Sequence, residues 1–214
     1  MIAFPKSFAI GIPTINQFEF LQQNINAIIK YLPKQRIYIY NNSKHLLQTK
    51  VKIPNNAVVF ESGKNVGVAA SWNTMLTDMK ANGYDCGLIL NDDIVLSERI
   101  KEIHDYLKHD IEFARITNDW SVFLISLKVF SKVGLFDEKF FPAYFEDCDY
   151  QYRMKLKNVK VDYPRLLIPA TYRTSSSIKE DPSLNENYQA NRRYYIKKWG
   201  GEPFRETFKT PFNK

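Results

Sequence analysis

The stretch between Phe136 and Arg153 sets five acidic residues among seven aromatic rings. A carboxylate enclosed by bulky apolar groups is partly desolvated, which raises its pKa and suits it to accept a proton. Two interpretations are open for this stretch: a catalytic surface, or an aromatic hinge beside the acidic start of a helix. The acidic residues are Asp137, Glu138, Glu146, Asp147 and Asp149.

A second acidic feature, Asp92 and Asp93, follows the short apolar run Cys86–Leu90 and Asn91. Adjacent carboxylates repel each other unless a cation, hydrogen-bond donors or open solvent stabilise them. Mg²⁺ or Mn²⁺ binds such oxygens, typically through one or two carboxylates together with substrate phosphates. The same acids could instead cap a following helix and interact with its dipole. The spacing alone fits both interpretations.

A glycine turn with small residues opens a predicted helix within Asn65–Asn73. Small residues allow the helix backbone to approach a neighbour or ligand, and its exposed N–H groups could face an anion. No Gly-Lys-Ser/Thr follows, so the turn is not a phosphate-binding P-loop. The glycines also do not follow the first strand, so the turn is not a dinucleotide-binding fingerprint.

Strand-like and helix-like stretches alternate over the first half of the chain with short connections. This alternation predicts an α/β fold, with a mostly parallel sheet covered by helices on both faces. The predicted strands are Ser7–Ile12, Arg36–Tyr40, Ala57–Glu61 and Cys86–Leu90. The predicted helices carry apolar stripes over Phe18–Leu32, with Asn16 as its cap, over Val68–Met79 and over Ile100–Ile111.

Polar residues follow these strands one after another. In open parallel sheets, ligands bind beyond the carboxyl ends of the strands. We therefore expect these polar residues to converge on one edge of the sheet. They are Pro13, Thr14, Asn41, Asn42, Asn65, Asp92 and Asp93.

The pattern changes after residue 115, where shorter strands and one long helix are predicted. The strands are Trp120–Leu127, Val159–Tyr163 and Leu166–Thr171. Asp181-Pro182 is expected to open the last helix, which ends at Gly200-Gly201. The sequence contains no internal repeat, low-complexity tract or clear linker, so we expect a single domain.

The composition, 44% hydrophobic and 25% charged residues, is that of a globular protein. No apolar run has the length of a membrane span, and the N-terminus lacks a secretory signal pattern. The apolar surroundings of Cys86 and Cys148 indicate buried thiols and a cytoplasmic, reducing compartment. The net charge of +7 favours anionic partners. Residues 192–214 are basic and are either a solvated tail or a contact with an anionic acceptor or a membrane surface.

Taken in order, these motifs resemble the GT-A-fold glycosyltransferases of family 2, which are inverting and use nucleotide sugars. The resemblance spans roughly residues 8–175, and the order of the motifs is more specific than any single one. The matching stretches are Ile10–Thr14, Tyr40–Ser43, Asn65–Asn73, Leu88–Ile94, Val133–Glu138, Tyr144–Asp149 and Arg153.

The resemblance implies a GT-A fold, a Rossmann-like mixed sheet flanked by helices. Residues 1–115 would form the half that binds the nucleotide-diphosphate sugar, and residues 116–214 the acceptor and catalytic half. The implied donor-binding residues are Pro13, Thr14, Asn41, Asn42, Asn65, Gly67, Asn73, Asn91, Asp92 and Arg173.

The resemblance also implies a role for several acids and rings. Asp93 would bind the Mn²⁺ or Mg²⁺ that bridges the diphosphate. Asp147 would be the general base for the acceptor hydroxyl, and Glu146 its neighbour, holding the acceptor or tuning that base. The remaining acids of the segment are expected to be scaffold, with an i,i+4 pair between Asp149 and Arg153. Candidate rings for stacking on an acceptor sugar are Phe141, Tyr144 and Phe145.

Three positions depart from the family pattern. Asn41 and Asn91 stand where the family often has aspartate, and Leu167–Ser177 contains no histidine ligand. Either the metal binds weakly, or Arg173 shares the charge of the diphosphate. The three histidines, at 45, 104 and 109, are expected at the surface or on helices.

Two other functions compete with glycosyl transfer. A nucleotidyltransferase also pairs a strand-end carboxylate with a metal, but the chain lacks a glycine-rich, basic loop after the first strand. A nucleotide-sugar-binding or nucleic-acid-binding module would carry the same acids for structural reasons. For the transferase, the expected acceptor is a glycan, a lipid-linked glycan or another hydroxyl compound.

Overall fold

The computed structural model of the chain describes residues 6–117, 119–164, 169–172 and 186–214. Seven strands form one mixed sheet in the order β3-β2-β1-β4-β7-β6-β8, and β5 pairs with β9 in a second sheet. The strands are β1 Phe8–Thr14, β2 Ile37–Asn41, β3 Ala57–Glu61, β4 Cys86–Leu90, β5 Ile94–Leu96, β6 Phe113–Arg115, β7 Val122–Ser126, β8 Val161–Asp162 and β9 Pro169–Tyr172.

Strands β3, β2, β1 and β4 run parallel to one another, whereas β7 is antiparallel to β4. Every residue of β1 and β4 is buried. Unbroken burial is typical of central parallel strands, because helices cover both faces of the sheet. Because β1 and β4 are neighbours and run parallel, their carboxyl ends meet at one edge of the sheet.

Six α-helices surround the sheet in the described part of the chain. α1 and α3 pack on one face through Leu21, Ile25 and Ile103, and α2, α4 and α5 cover the other. The helices are α1 Phe18–Tyr31, α2 Val68–Ala81, α3 Ile103–Tyr106, α4 Leu127–Val133, α5 Glu146–Leu156 and α6 Tyr188–Trp199. The mixed, mostly parallel sheet between helices confirms the α/β prediction.

Close contact between α2 and the sheet requires glycine in β4. A Cβ atom on Gly87 would lie 2.5 Å from Cδ2 of Leu76 and 3.1 Å from Sδ of Met79. Both partners lie in the buried face of α2. The absence of a side chain at this position thus sets the distance between α2 and the centre of the sheet.

A third buried cluster joins α6 to α5 through aromatic rings and a buried lysine. The ring of Tyr152 packs edge-on against Trp199, with 4.9 Å between the centroids. Nζ of Lys198 lies 2.7 Å from Oδ2 of Asp137 and 2.5 Å from Oδ1 of Asp149. Part of the basic C-terminal stretch is therefore inside the protein, where its charge is neutralised by two acids.

The structure confirms the predicted strands, with Ala57–Glu61 and Cys86–Leu90 at the expected bounds. Two predictions about helices were wrong. Asn16 does not cap α1: it has φ of 60°, and Gln17 occupies the cap position. The stripe Ile100–Ile111 is not one helix but a 3₁₀ turn followed by the short α3. Both helix types turn the same apolar side chains toward the sheet, so periodicity could not distinguish them.

Two predictions fall partly or wholly outside the described residues. The strand predicted at Leu166–Thr171 is described only from Pro169, where β9 begins. The helix start predicted at Asp181-Pro182 lies outside the described residues, whereas the predicted end is confirmed by Gly200 with φ of 74°. Within the described ranges, no helix is both long enough and apolar enough to cross a bilayer.

Replacing Lys198 with alanine should lower the free energy of unfolding by about 3 kcal/mol, because two buried carboxylates lose their shared cation. Chemical denaturation at pH 7 measures this change. Lys197→Ala is the matched control, since Lys197 is exposed one position earlier on α6 and its removal should cost less than about 0.5 kcal/mol. Equal losses for the two variants would contradict the role given to Lys198.

Candidate functional site

The ends of β1 and β4 bring the first predicted site residues together. The N–H of Ile15 donates a hydrogen bond to Oδ2 of Asp92 at 3.3 Å. Thr14, Asp92 and Asp93 are each less than 8% exposed. Pro13 is also buried in β1. The expected convergence of strand-end polar groups is therefore present at this edge.

Two buried carboxylates side by side are costly without a compensating charge. Burial, and then the neighbouring charge of Asp93, raise the pKa of Asp92 to about 7. A divalent cation would remove this cost, so the two oxygen donors fit a metal ion that takes its other ligands from substrate phosphates and water. Within the described residues, no group of three or more histidine, cysteine or acidic side chains forms a complete metal cage.

Asn24, which the sequence analysis missed, holds the backbone of this turn in place. Its Nδ2 donates to the carbonyl oxygens of Asp92 at 3.0 Å and Asn91 at 3.3 Å. The side chain is fully buried on α1. A polar residue inside the apolar stripe of α1 was the available signal, because a buried amide must find hydrogen-bond partners.

The loop after β2 is stabilised by the amide of Asn41. Nδ2 donates to Oε2 of Glu61 at 2.6 Å and to the carbonyl oxygen of His45 at 2.7 Å. Oδ1 accepts bonds from the N–H and the hydroxyl of Ser43 at 3.1 and 2.6 Å. These four bonds use the full hydrogen-bonding capacity of the amide. Asn41 therefore shapes the loop and has no remaining capacity to bind a ligand through its side chain.

Asn42 connects the same loop to the start of α2. Its Nδ2 donates to Oγ of Ser71 at 2.8 Å, and its Oδ1 accepts from the N–H of Val66 at 3.1 Å. Its own N–H donates to the carbonyl oxygen of Thr14 at 2.8 Å. Ser71 was not singled out from the sequence. The three bonds join β1, β2 and α2 at one point.

A pocket of about 530 Å³ opens beside these residues. Polar side chains predicted for the donor site, Asn42 and Asn65, line it together with the ring of Phe141. His45 is exposed, as expected for a surface histidine, and it also contributes to the lining. The full lining is Ile15, Asn16, Asn42, Ser43, Lys44, His45, Asn65, Phe141, Pro142, Glu186 and Asn187.

The glycine of the predicted turn is required by a close backbone contact. Gly67 has φ of 89°, and a Cβ atom there would lie 3.1 Å from Cδ2 of Phe141 and 3.2 Å from the carbonyl oxygen of Pro142. That oxygen accepts a bond from the N–H of Val68 at 2.9 Å. The start of α2 thus contacts the segment that leads to the acids of α5.

Asn73 lies apart from this pocket. Its Nδ2 donates to Oε1 of Glu138 and its Oδ1 accepts from the N–H of Phe136, both at 2.8 Å. It lines a different surface pocket with Phe60 and Thr77. The side chain of Asn73 thus ties α2 to the acidic-aromatic segment, and its role in donor binding stays a prediction.

Glu146 and Asp147 form the first turn of α5. Burial, and then the charge of Asp147, raise the pKa of Glu146 well above its ordinary value. Oε2 of Glu146 is buried and has no hydrogen-bond partner among the described residues. An unpartnered buried carboxylate oxygen costs free energy, and such groups concentrate at functional sites.

Asp147 is half-buried, and its pKa is also raised, mainly by burial. Its Oδ1 accepts a bond from the N–H of Cys148 at 2.7 Å, which partly offsets the rise. The guanidinium of Arg115 on β6 acts in the same direction. A carboxylate with a raised pKa and partial access is suited to accept a proton.

Two bulky residues with left-handed backbone conformations precede this acid pair. Tyr144 has φ of 80° and Phe145 has φ of 71°. Phe145 is 7% exposed, so its ring packs inside and cannot stack on an acceptor, which corrects that prediction. Phe141 is 43% exposed and keeps an accessible ring. The ring of Tyr188 on α6 lies 5.2 Å from that of Tyr144.

The other acids of the segment serve the scaffold, as the sequence predicted. Oδ2 of Asp149 accepts a bond from Nε of Arg153 at 2.8 Å, and Oδ1 accepts from Nε1 of Trp199 at 2.8 Å. Burial opposes ionisation of Asp137, yet the hydrogen bond from Lys198 holds its pKa below the ordinary value. Arg173, predicted to face the diphosphate, lies outside the described residues.

Solved structures show which fold this is. The catalytic domain of Drosophila β1,4-galactosyltransferase 7, in complex with xylobiose, superposes with a TM-score of 0.54 and 12% identity over 74% of this chain and 64% of that one. GalNAc-T7 with UDP, GalNAc and Mn²⁺ gives a TM-score of 0.62 and 12% identity over 91% of this chain and 50% of that one.

A protein of Desulfovibrio desulfuricans G20 assigned as a nucleotide-diphospho-sugar transferase gives a TM-score of 0.52 and 10% identity, over 85% of this chain and 97% of that one. No protein-family model matches the chain, and no curated protein matches it either. The chain spans about half to two thirds of the length of the two glycosyltransferase chains above. At these identities the likeness establishes the fold, which is the GT-A fold.

Glu146→Gln should raise the free energy of unfolding at pH 8 by about 1–2 kcal/mol. The folded protein holds this proton more tightly than the unfolded chain, so wild-type stability falls as pH rises from the ordinary carboxyl range through the raised pKa. The gain should shrink at pH 4, where both states keep the proton. Chemical denaturation at the two pH values measures it.

Glu98→Gln serves as the control because Glu98 is exposed and makes only a surface ion pair with Lys101. Its effect should be small at both pH values. A loss of stability in Glu146→Gln at pH 8 would show that the Glu146 carboxylate is stabilised rather than strained.

Proposed function

We propose that the protein is an inverting glycosyltransferase that moves a sugar from a nucleotide-diphosphate sugar to a hydroxyl acceptor. The observation that carries this proposal is the continuous path from the pocket to the acid pair. Phe141 and Pro142 line the pocket, and four residues later the same segment delivers Glu146 and Asp147 with raised pKa values. The GT-A fold and the nucleotide-sugar ligand of GalNAc-T7 support this assignment.

The donor nucleotide would bind at the strand edge. Asn42 and Asn65 offer polar contacts in the pocket, and Pro13 and Thr14 are proposed to lie against the nucleotide at the end of β1, directly before the lining residue Ile15. Asn91 and Asp92 are fixed at the adjacent strand end by Asn24. Because Gly67 has no side chain, the backbone before α2 can lie close to Phe141 and Pro142, which line the pocket. Asn41 contributes by shaping the loop after β2.

Asp93, with Asp92 beside it, would hold a divalent cation such as Mn²⁺ or Mg²⁺. When bound, this cation would neutralise charge on the diphosphate leaving group. Arg173, which lies outside the described residues, is proposed to share that task. GalNAc-T7, with the same fold, was solved with Mn²⁺ and UDP.

Asp147 is proposed as the general base that takes the proton of the acceptor hydroxyl. Its raised pKa, caused mainly by burial, makes it a better proton acceptor than an exposed carboxylate, and the charge of Arg115 acts against this rise. Glu146, more deeply buried, would hold the acceptor or tune this base. Direct attack by the acceptor oxygen at the anomeric carbon requires no covalent enzyme intermediate, so the product would have inverted anomeric configuration.

The acceptor would be a glycan or a lipid-linked glycan that stacks on exposed rings near the acid pair. Phe141 is exposed, and Tyr144 and Tyr188 lie together next to Glu146. Aromatic faces provide apolar contact with sugar rings while their edges remain polar. The exposed basic residues of α6, including Arg193 and Lys197, are proposed to favour an acceptor with anionic groups or an anionic membrane surface.

A screen of donors tests the class of reaction. UDP-, GDP- and dTDP-sugars are titrated calorimetrically with and without Mn²⁺, and at least one nucleotide sugar should bind with an affinity that Mn²⁺ increases. Binding of nucleoside triphosphates with release of pyrophosphate would indicate a nucleotidyltransferase instead. Binding of none of these ligands would contradict the proposal.

Asp147→Asn should lower the rate of donor hydrolysis by about 10²–10⁴-fold, the usual contribution of a general base. Donor affinity should be unchanged, because Asp147 acts on the acceptor side. The readout is nucleotide diphosphate released from the donor found by the screen. Asp110→Asn is the matched control, since the side chain of Asp110 is 97% exposed and far from the site in sequence. Full activity in Asp147→Asn would contradict its role as the general base, and absence of donor hydrolysis in the wild type despite donor binding would indicate a non-catalytic binding module.

A further inference from the structure

The segment 141–145 is held in a conformation that its own residues do not favour. Tyr144 and Phe145 both have positive φ values, 80° and 71°, although neither is glycine or asparagine. Such a conformation is strained for a bulky residue and persists only where surrounding contacts impose it. These two residues directly precede Glu146, so whatever holds them also sets where α5 begins.

The contacts that hold the segment come from two helices. On one side, the N–H of Val68 on α2 donates to the carbonyl oxygen of Pro142 at 2.9 Å. On the other, Nδ2 of Asn191 on α6 donates to the carbonyl oxygens of Ala143 at 2.8 Å and Phe141 at 3.1 Å, and lies 3.4 Å from that of Tyr144. The side-chain amide of Asn191 thus contacts three carbonyl oxygens of segment 141–145.

Asn191 is well placed to impose this geometry. It is 4% exposed, so its bonds do not compete with water. α6 is itself anchored to α5 further along, where Trp199 and Lys198 bind Asp149. The segment is therefore held between α2 and α6, and α6 is itself bonded to the acid-bearing helix α5.

We propose that Asn191 is a positioning residue, which fixes segment 141–145 and thereby the location and burial of Glu146 and Asp147. This inference rests on the proposed function. Asn191 touches neither substrate nor the reacting atoms, and acts only through the backbone that it binds. Its side chain bonds backbone carbonyl oxygens of the segment, whereas the side chains proposed to bind the donor, Asn42 and Asn65, lie on other parts of the chain, so its loss should affect the reaction step more than donor binding.

Asn191→Asp has the same shape but brings acceptor oxygens against three carbonyl oxygens, and Asn191→Ala removes the contact. Each should lower kcat for hydrolysis of UDP-galactose, UDP-glucose or UDP-N-acetylgalactosamine with Mn²⁺ by about 10–100-fold, as for a misplaced catalytic group. KM for the donor should change less than about threefold. Gln189→Ala, an exposed position on the same helix, is the control.

The pH dependence of kcat separates positioning from mere destabilisation. The described groups that face Asp147 are Glu146 and Cys148 on its own helix and Arg115 from β6; Asp149 and Tyr144 face Glu146. Loss of the hydrogen bonds from Asn191 would admit water to Glu146 and Asp147 and lower their pKa values. The acidic limb of the pH profile of kcat should therefore move to lower pH. A substitution that only lowers the folded fraction would reduce activity without moving this limb.

Hydrogen exchange of residues 144–150 gives a readout that does not require activity. Exchange should accelerate in Asn191→Ala and Asn191→Asp but not in Gln189→Ala. Unchanged exchange, or an unchanged pH profile with normal kcat, would overturn the inference. If the wild-type protein hydrolyses no donor, the proposed function fails, while accelerated or unchanged exchange still decides whether Asn191 fixes the segment.

Discussion

The parallel alignment of β1, β2 and β4 is the constraint on which the rest of the site depends. Their carboxyl ends meet at one edge, where the N–H of Ile15 binds Asp92 and the N–H of Asn42 binds the carbonyl oxygen of Thr14. β1 pairs with β2 on one side and with β4 on the other. The register of these two pairings brings the donors and acceptors of these bonds together. A change in register would separate the polar residues that form the pocket.

Buried acids with raised pKa values distinguish the candidate site from the scaffold, whose buried acids are in ion pairs. Lys198 neutralises Asp137 and Asp149, and this cluster stabilises the junction of α5 and α6. Asp92 and Glu146, by contrast, are buried with raised pKa values. Proteins retain such costly groups where a ligand or a reaction uses them. The scaffold acids are thus held in ion pairs, whereas Asp92 and Glu146 in the candidate site are buried acids whose pKa values are raised.

Local pattern was enough to predict β4 and the acids that follow it, because an apolar run ending in carboxylates is visible within ten residues of sequence. Contacts between distant segments were not predictable in this way. Asn24 and Asn191 donate hydrogen bonds to backbone carbonyl oxygens far away in the sequence. The residues next to them in the sequence do not indicate which carbonyl oxygens these are. The left-handed conformation of Tyr144 also escaped prediction, because sequence signals for positive φ rest on glycine and asparagine.

The most direct test is a crystal structure of the protein with UDP and Mn²⁺. Mn²⁺ should be bound by the carboxylate of Asp93, next to the diphosphate, and the nucleoside should lie in the pocket lined by Asn42 and Asn65. The open side of the diphosphate should face Asp147 on α5. A nucleotide bound outside this pocket, with no Mn²⁺ at Asp93, would contradict the proposed site.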